Sequence, residues 1–208
     1  MIKKLLSAFT GAKPKEIIIV SGLPRSGTSM MMKMLDVGGL AVLTDNLREA
    51  DVDNPKGYYE FERVKQLDKG DVAWLPEAQG KVVKIISMLL PYLPDDYHYK
   101  VLFMRREISE ILASQRKMLA NRGMPTDETT EAELERSFSK HLMQVQNWLQ
   151  SQPNTETLYI YYNELLKAPA QTVPQINQFL DNKLDPVRMM EVIDPTLYRN
   201  RVESTESY

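Results

Sequence analysis

The stretch IIIVSGLPRSGTSMMMKML, residues 17–35, constrains the fold more than any other part of the chain. Residues 16–21, EIIIVS, form a short β-branched run bounded by Pro14 and Gly22, which predicts a buried parallel strand. From about Ser26 onward, Met30, Met34 and Leu35 recur at helical spacing until Gly38-Gly39, which predicts a helix. Gly22 and Gly27 flank the turn between them, so its backbone amides can converge. The helix start adds free N–H groups and the positive end of its dipole. An anion is the natural occupant. Within Pro24, Arg25, Ser26, Gly27, Thr28 and Ser29, the three hydroxyls add donors and Arg25 adds a fixed charge with a planar fork of N–H groups. A nucleoside triphosphatase loop of this shape carries a lysine after its second glycine, which reaches the β- and γ-phosphates. Here that position is Thr28, and the cation has moved into the loop as Arg25. Such a loop suits a ligand without a γ-phosphate and without an obligatory metal.

The remaining chain alternates strand and helix signals. KVVKII at 81–86, YKVLFMR at 99–105 and TLYIYY at 157–162 read as buried strands. FERVKQLDKGDVAWL is helical in character, EISEILASQRKMLANRG continues directly from the third strand as a helix, and a Thr/Asp start signal precedes a helix over about 129–151. Two short helices divided by Pro169 and a polar tail end the chain. This alternation predicts a three-layer α/β/α fold with a mostly parallel sheet, in which ligands sit at the carboxyl ends of the strands. The opening loop, Arg105-Arg106 and Tyr161-Tyr162 all fall at such ends.

Composition narrows the chemistry. A length of 208 residues and a net charge of -2 predict a single domain with no global basic field for nucleic acid. Residues 1–14 read as a flexible or peripheral N-terminal segment, too short in apolar stretch for a secretory signal. No apolar run is long enough to span a membrane, so a cytoplasmic location is expected. With zero cysteines and only His98 and His141, thiol-ligated metals, disulfides and cysteine nucleophiles are excluded. Chemistry must run on carboxylates, hydroxyls, lysine and arginine. The composition leaves homo-oligomerisation open.

A second anion site follows the strand at 99–105. Arg106 stands at its end and Ser114 lies eight residues on, in RREISEILAS. With a helix from about Ile108, the residues Ile111, Leu112, Met118 and Leu119 form its buried stripe and Ser114 borders it. Arg106 and Ser114 can then converge on a further phosphate.

LPRSGTS after the first strand, together with Arg-x7-Ser after a later one, resembles the sulfotransferases that use 3′-phosphoadenosine 5′-phosphosulfate (PAPS). YYNELLKAPAQTVPQINQFL is similar to that family's strand and following Tyr-Glu-Asp-Leu-x-x-x-Pro segment. DNPKGYYE and DPTLYRNR are similar to segments of its bacterial members, so the resemblance covers roughly residues 16–201. It implies a P-loop-like fold in which the opening loop holds the donor's 5′-phosphosulfate and Arg106 with Ser114 holds its 3′-phosphate. Arg25 takes the place of the family's loop lysine, Tyr162 aligns with an adenine-contacting aromatic residue, and Arg199 or Arg201 closes over the 3′-phosphate.

Transfer of a sulfuryl group is an in-line displacement, so the acceptor must lose a proton to a nearby base. Cytosolic members carry Lys-x-His in the segment matching KVVKIISML, but here Lys84 is followed by Ile86 where the histidine would stand. Members acting on carbohydrate or tyrosine use a glutamate, which points to Glu60, with Glu62 second. Lys84, at a strand end, is placed to stabilise charge on the transferring group. The acceptor is a small molecule or carbohydrate bearing a hydroxyl or amine, shaped by segments 41–58 and 120–130. Two alternatives stand at this point: a small P-loop kinase-like ATP-dependent phosphotransferase, and a non-catalytic nucleotide-binding member of the fold.

Overall fold

A computed structural model describes residues 16–45, 47, 51, 57–124 and 130–194. Four strands, β1 (Glu16–Gly22), β2 (Val82–Lys84), β3 (His98–Arg105) and β4 (Thr155–Tyr161), form one parallel sheet in the order β2-β1-β3-β4. The chain moves from β1 outward to β2 and returns to the other side of β1 as β3. That reversal opens a crevice at the carboxyl ends of β1 and β3, where an open α/β sheet receives ligands.

Both sheet faces are covered, so the strands read as near-continuous apolar runs. The helices are α1 (Thr28–Val37), α2 (Leu75–Ala78), α3 (Ile108–Asn121), α4 (Glu131–Ser151), α5 (Tyr162–Lys167), α6 (Pro169–Phe179) and α7 (Pro186–Glu191). On one face Ile18, Val20, Val82, Leu102, Met104 and Ile160 pack under Met31, Met34 and Leu35 of α1, Leu165 of α5, Val173 and Ile176 of α6 and Met189 of α7. On the other, Ile17, Ile19, Val83, Ile85, Val101 and Phe103 pack under Trp74, Leu75 of α2, and Val145 and Leu149 of α4. Helix α4 begins at a reciprocal cap, in which Glu133 N donates to Thr130 Oγ1 at 3.3 Å and Thr130 N donates to the Glu133 carboxylate at 2.9 Å.

Several expectations need correction. The run expected to be helical from Phe61 is a 3-10 helix, Glu62–Lys69, followed by the four-residue α2. Glu60 therefore lies in the extended lead-in and does not open a helix. Met118 and Leu119 are only half-buried, because α3 packs against α4 and ends near the surface; its buried residues are Glu110, Ile111, Leu112 and Ser114. Tyr162 opens α5 instead of closing the last strand, since the chain turns helical directly after Tyr161. The short α7 escaped the sequence reading, although Asp185 accepts from the amides of Val187 and Arg188 as an ordinary N-cap and Pro186 follows it. Arg199 and Arg201 lie outside the described residues, as do residues 1–14 and residues 54–56 of the DNPKGYYE segment.

Gly22 lets the chain leave β1 close to its neighbour. Its φ is +146°, and a Cβ there would stand 2.6 Å from Met104 O and 2.6 Å from Ser26 Oγ. Backbone on one side cannot give way. Gly22→Ala is therefore expected to lower unfolding stability by about 2 kcal/mol or more, read from urea denaturation midpoints.

Candidate active site

The loop after β1 turns through Leu23, whose carbonyl accepts from Ser26 N at 3.2 Å. Arg25 sits in the left-handed region at φ +71°, which costs a non-glycine residue about 1–2 kcal/mol and persists only where the surroundings impose it. Gly27 follows at φ +98° as the N-cap of α1, and no side chain caps that helix. A Cβ on Gly27 would lie 2.5 Å from the Tyr162 ring, so the loop rests directly on that tyrosine. Ser26 is 1% exposed, and its Oγ finds no hydrogen-bond partner among the described residues. A buried hydroxyl of this kind is costly unless something else accepts from it. A helix start that no side chain caps and an orphaned hydroxyl beside it are groups that an anion can satisfy.

Arg106 enters the same place from β3. Its Nη1 donates to Arg25 O at 3.1 Å, and its Nε donates to the Glu110 carboxylate at 2.9 Å. Its Cζ lies 4.7 Å from the centroid of the Tyr162 ring. The Arg25 side chain closes the circuit, with Nε donating to Ser114 Oγ at 3.0 Å. Arg25, Arg106, Ser114 and Tyr162 are therefore one interlocked cluster between β1 and β3. Tyr162 is buried, and burial pushes its phenol above the ordinary value despite the nearby Arg106 cation. With Gly27 and Arg106 against its ring, Tyr162 acts as a support beneath the loop.

The second half of the site lies beside the first turn of α1. Lys84, at the carboxyl end of β2, reaches Tyr58 O, Ser29 Oγ at 3.4 Å and Glu60 Oε1 at 3.6 Å. Ser29 Oγ also donates to Tyr58 O at 3.4 Å. The Glu60 backbone is pinned where its carbonyl accepts from Thr44 Oγ1 at 2.8 Å. The Glu60 side chain is 19% exposed, whereas that of Glu62 is 45% exposed and pairs with Lys65 at 2.6 Å. Glu60 thus lies between Lys84 and Lys65, the latter at 3.7 Å, and Glu62 faces water. Thr28, Ser29 and Pro24 remain on the loop and helix start, with Pro24 exposed.

The two segments assigned to the acceptor meet at Tyr58. Its hydroxyl donates to the Asp51 carboxylate at 2.7 Å and accepts from Arg122 Nη2 at 3.4 Å, while Arg122 and Asp51 approach to 3.5 Å. Helix α3 thus touches the loop-side cluster through Glu110 and Ser114 and the Tyr58 wall through Arg122 just past its end, about 12–18 Å further along at 1.5 Å per residue.

Two residues of interest escaped the sequence reading. Glu110 stands midway between Arg106 and Ser114 at steps of four, a spacing that places all three on one side of the helix entry. His141 of α4 makes a 2.8 Å hydrogen bond with the fully buried Ser87, directly after Ile86. Nothing in the sequence joins positions 54 residues apart. His98 lies at the amino end of β3, beside Glu156 at 3.6 Å, away from the strand ends that form the site.

A sequence profile described as "Sulfotransferase domain" matches residues 15–205. The chain belongs to the sulfotransferase family. Its fold is similar to that of mouse sulfotransferase SULT7A1 complexed with PAP, at 18% identity and TM-score 0.56, over 92% of this chain and 67% of that one. It is also similar to the sulfotransferase domain of the Synechococcus PCC 7002 olefin synthase, at 12% identity and TM-score 0.52, over 93% and 90%. At these identities the likeness concerns the fold. The sulfotransferase domain here keeps Thr28 after the second loop glycine and ends β2 and β3 in Lys84 and Arg105, so no carboxylate stands at those two strand ends. No helix among the described residues is long and apolar enough to cross a membrane.

His141 gives this side of the fold a measurable pH dependence. Burial pushes its imidazole below the ordinary value of 6.5. A depressed folded value leaves stability complete above 6.5 and removes it as pH falls from there through the folded value, because the unfolded chain binds the proton more readily. Urea midpoints of the wild type should therefore drop below pH 6.5, and His141→Gln, which cannot titrate, should show a flatter profile across the same range.

Proposed function

We propose that the protein transfers a sulfuryl group from PAPS to a hydroxyl or amine of a small-molecule or carbohydrate acceptor. The observation that carries this reading is the cluster in which Arg25, Arg106 and Ser114 interlock at the carboxyl ends of β1 and β3. It offers two cations and hydroxyl groups within the span of one doubly phosphorylated nucleotide. Loop amides, Ser26 and Arg25 bind the 5′-phosphosulfate end, and Arg106 with Ser114 binds the 3′-phosphate. Arg201, and Arg199 beside it, belong to the same reading through the resemblance alone.

Glu60 is the base in this reading. Its carboxylate takes the proton from the acceptor O–H or N–H as the new bond to sulfur forms and the bond from sulfur to the bridging oxygen breaks. Arg25 stabilises the negative charge that gathers on the bridging oxygen as it leaves with the phosphate. Lys84 orients Glu60 and, through Ser29, ties the base to the first turn of α1. Among the described residues no cluster of His, Asp or Glu could hold a metal ion, and the reading assigns none. A cytoplasmic location completes the proposal, which leaves homo-oligomerisation open.

Labelled adenosine 3′,5′-bisphosphate should bind saturably, compete with PAPS and be insensitive to EDTA; absence of competition rejects the donor. Arg106→Ala should weaken that binding by tenfold or more, roughly one charge-assisted contact. Glu60→Gln should leave binding intact while turnover, measured over an acceptor panel, falls by about 10²–10⁴-fold. Normal turnover by Glu60→Gln would move the base elsewhere even with the donor confirmed.

A further inference from the structure

Glu110 is a carboxylate buried to 2% exposure, and its partner Arg106 has a side chain 8% exposed. Burying an ion pair carries a desolvation cost that only good geometry and further hydrogen bonds offset. Here the geometry is specific. Arg106 meets Glu110 through Nε at 2.9 Å, Arg25 O through Nη1 at 3.1 Å, and Tyr162 through the face of its guanidinium at 4.7 Å. A guanidinium is planar and rigid, so fixing two of its nitrogens and its plane fixes the direction of every remaining N–H.

Resting on the donor reading above, we propose that Glu110 is a positioning residue that aims Arg106 at the 3′-phosphate and so supplies the preference for a 3′-phosphorylated nucleotide. Arg106, Glu110 and Ser114 follow one another at intervals of four. Glu110 acts from the middle of that row: it holds the arginine on one side, while Ser114 on the other holds Arg25. The same grip reaches the loop, because the Arg25 carbonyl that Arg106 engages belongs to the residue at φ +71°. The recognised chemistry is a phosphate monoester on the ribose of an adenine nucleotide.

The test compares adenosine 3′,5′-bisphosphate with adenosine 5′-monophosphate by titration calorimetry on the full chain, with thermal unfolding recorded for each variant. The wild type should prefer the bisphosphate strongly. In Glu110→Ala that preference should fall about tenfold, the scale of one charge-assisted hydrogen bond. Glu110→Gln keeps an oxygen that can accept from Arg106 Nε, so it should recover part of the preference and fall only about threefold. If Glu110→Ala does not fold, the Glu110→Gln ratio alone decides. Equal weakening of both nucleotides would mean that Glu110 merely supports the fold, and tighter bisphosphate binding in Glu110→Gln would mean that its charge repels phosphate; either overturns the proposal. A wild type that binds neither nucleotide, or binds both alike, removes the donor reading itself.

Discussion

The guanidinium of Arg106 is the contact on which the rest of the site depends. It leaves the end of β3, lies over Tyr162, pairs with Glu110 and donates to the carbonyl of Arg25. Through that carbonyl a strand 81 positions away imposes an unfavourable left-handed residue on the loop after β1. The sheet makes this possible by placing β1 and β3 side by side with Gly22 opposite Met104. Without a glycine there the two elements could not approach, and the two arginines would not share one cluster.

Much of the fold was legible because burial on both faces leaves a strong signal. Runs such as Ile17–Val20 and Val101–Met104 can satisfy their backbone only as strands and their side chains only under helices. Helix starts were legible where a cap or proline marks them, as at Thr130 and Pro169. Boundaries failed where tertiary contact overrides local pattern. Tyr162 belongs to a β-rich run, yet packing against Gly27 and Arg106 places it at the start of a helix.

The site divides in the same way. Loop glycines and Arg25 stood out because their spacing from a strand end has chemical meaning, and Arg106 with Ser114 stood out through the family resemblance. The link from Arg25 to Ser114 joins positions 89 apart, and no pattern in the chain announces it. Glu110 was within reach of the four-residue rhythm, but a glutamate in a first helical turn passes as ordinary dipole chemistry. Only the family resemblance ranked Glu60 ahead of Glu62. The fold adds the contrast: Glu60 lies between Lys84 at 3.6 Å and Lys65 at 3.7 Å with little exposure, whereas Glu62 pairs with Lys65 at 2.6 Å and faces water.

Helix α3 has a mechanical consequence. It is clasped in its first half by Arg106 on Glu110 and Arg25 on Ser114, and just past its end by Arg122 against Asp51 and Tyr58. A rod held at two separated points cannot tilt at one without shifting the other. Diversification of what the protein sulfates would then fall on the segments that join the rod to its neighbours, with the rod itself kept as a fixed gauge of the distance between its two clasps.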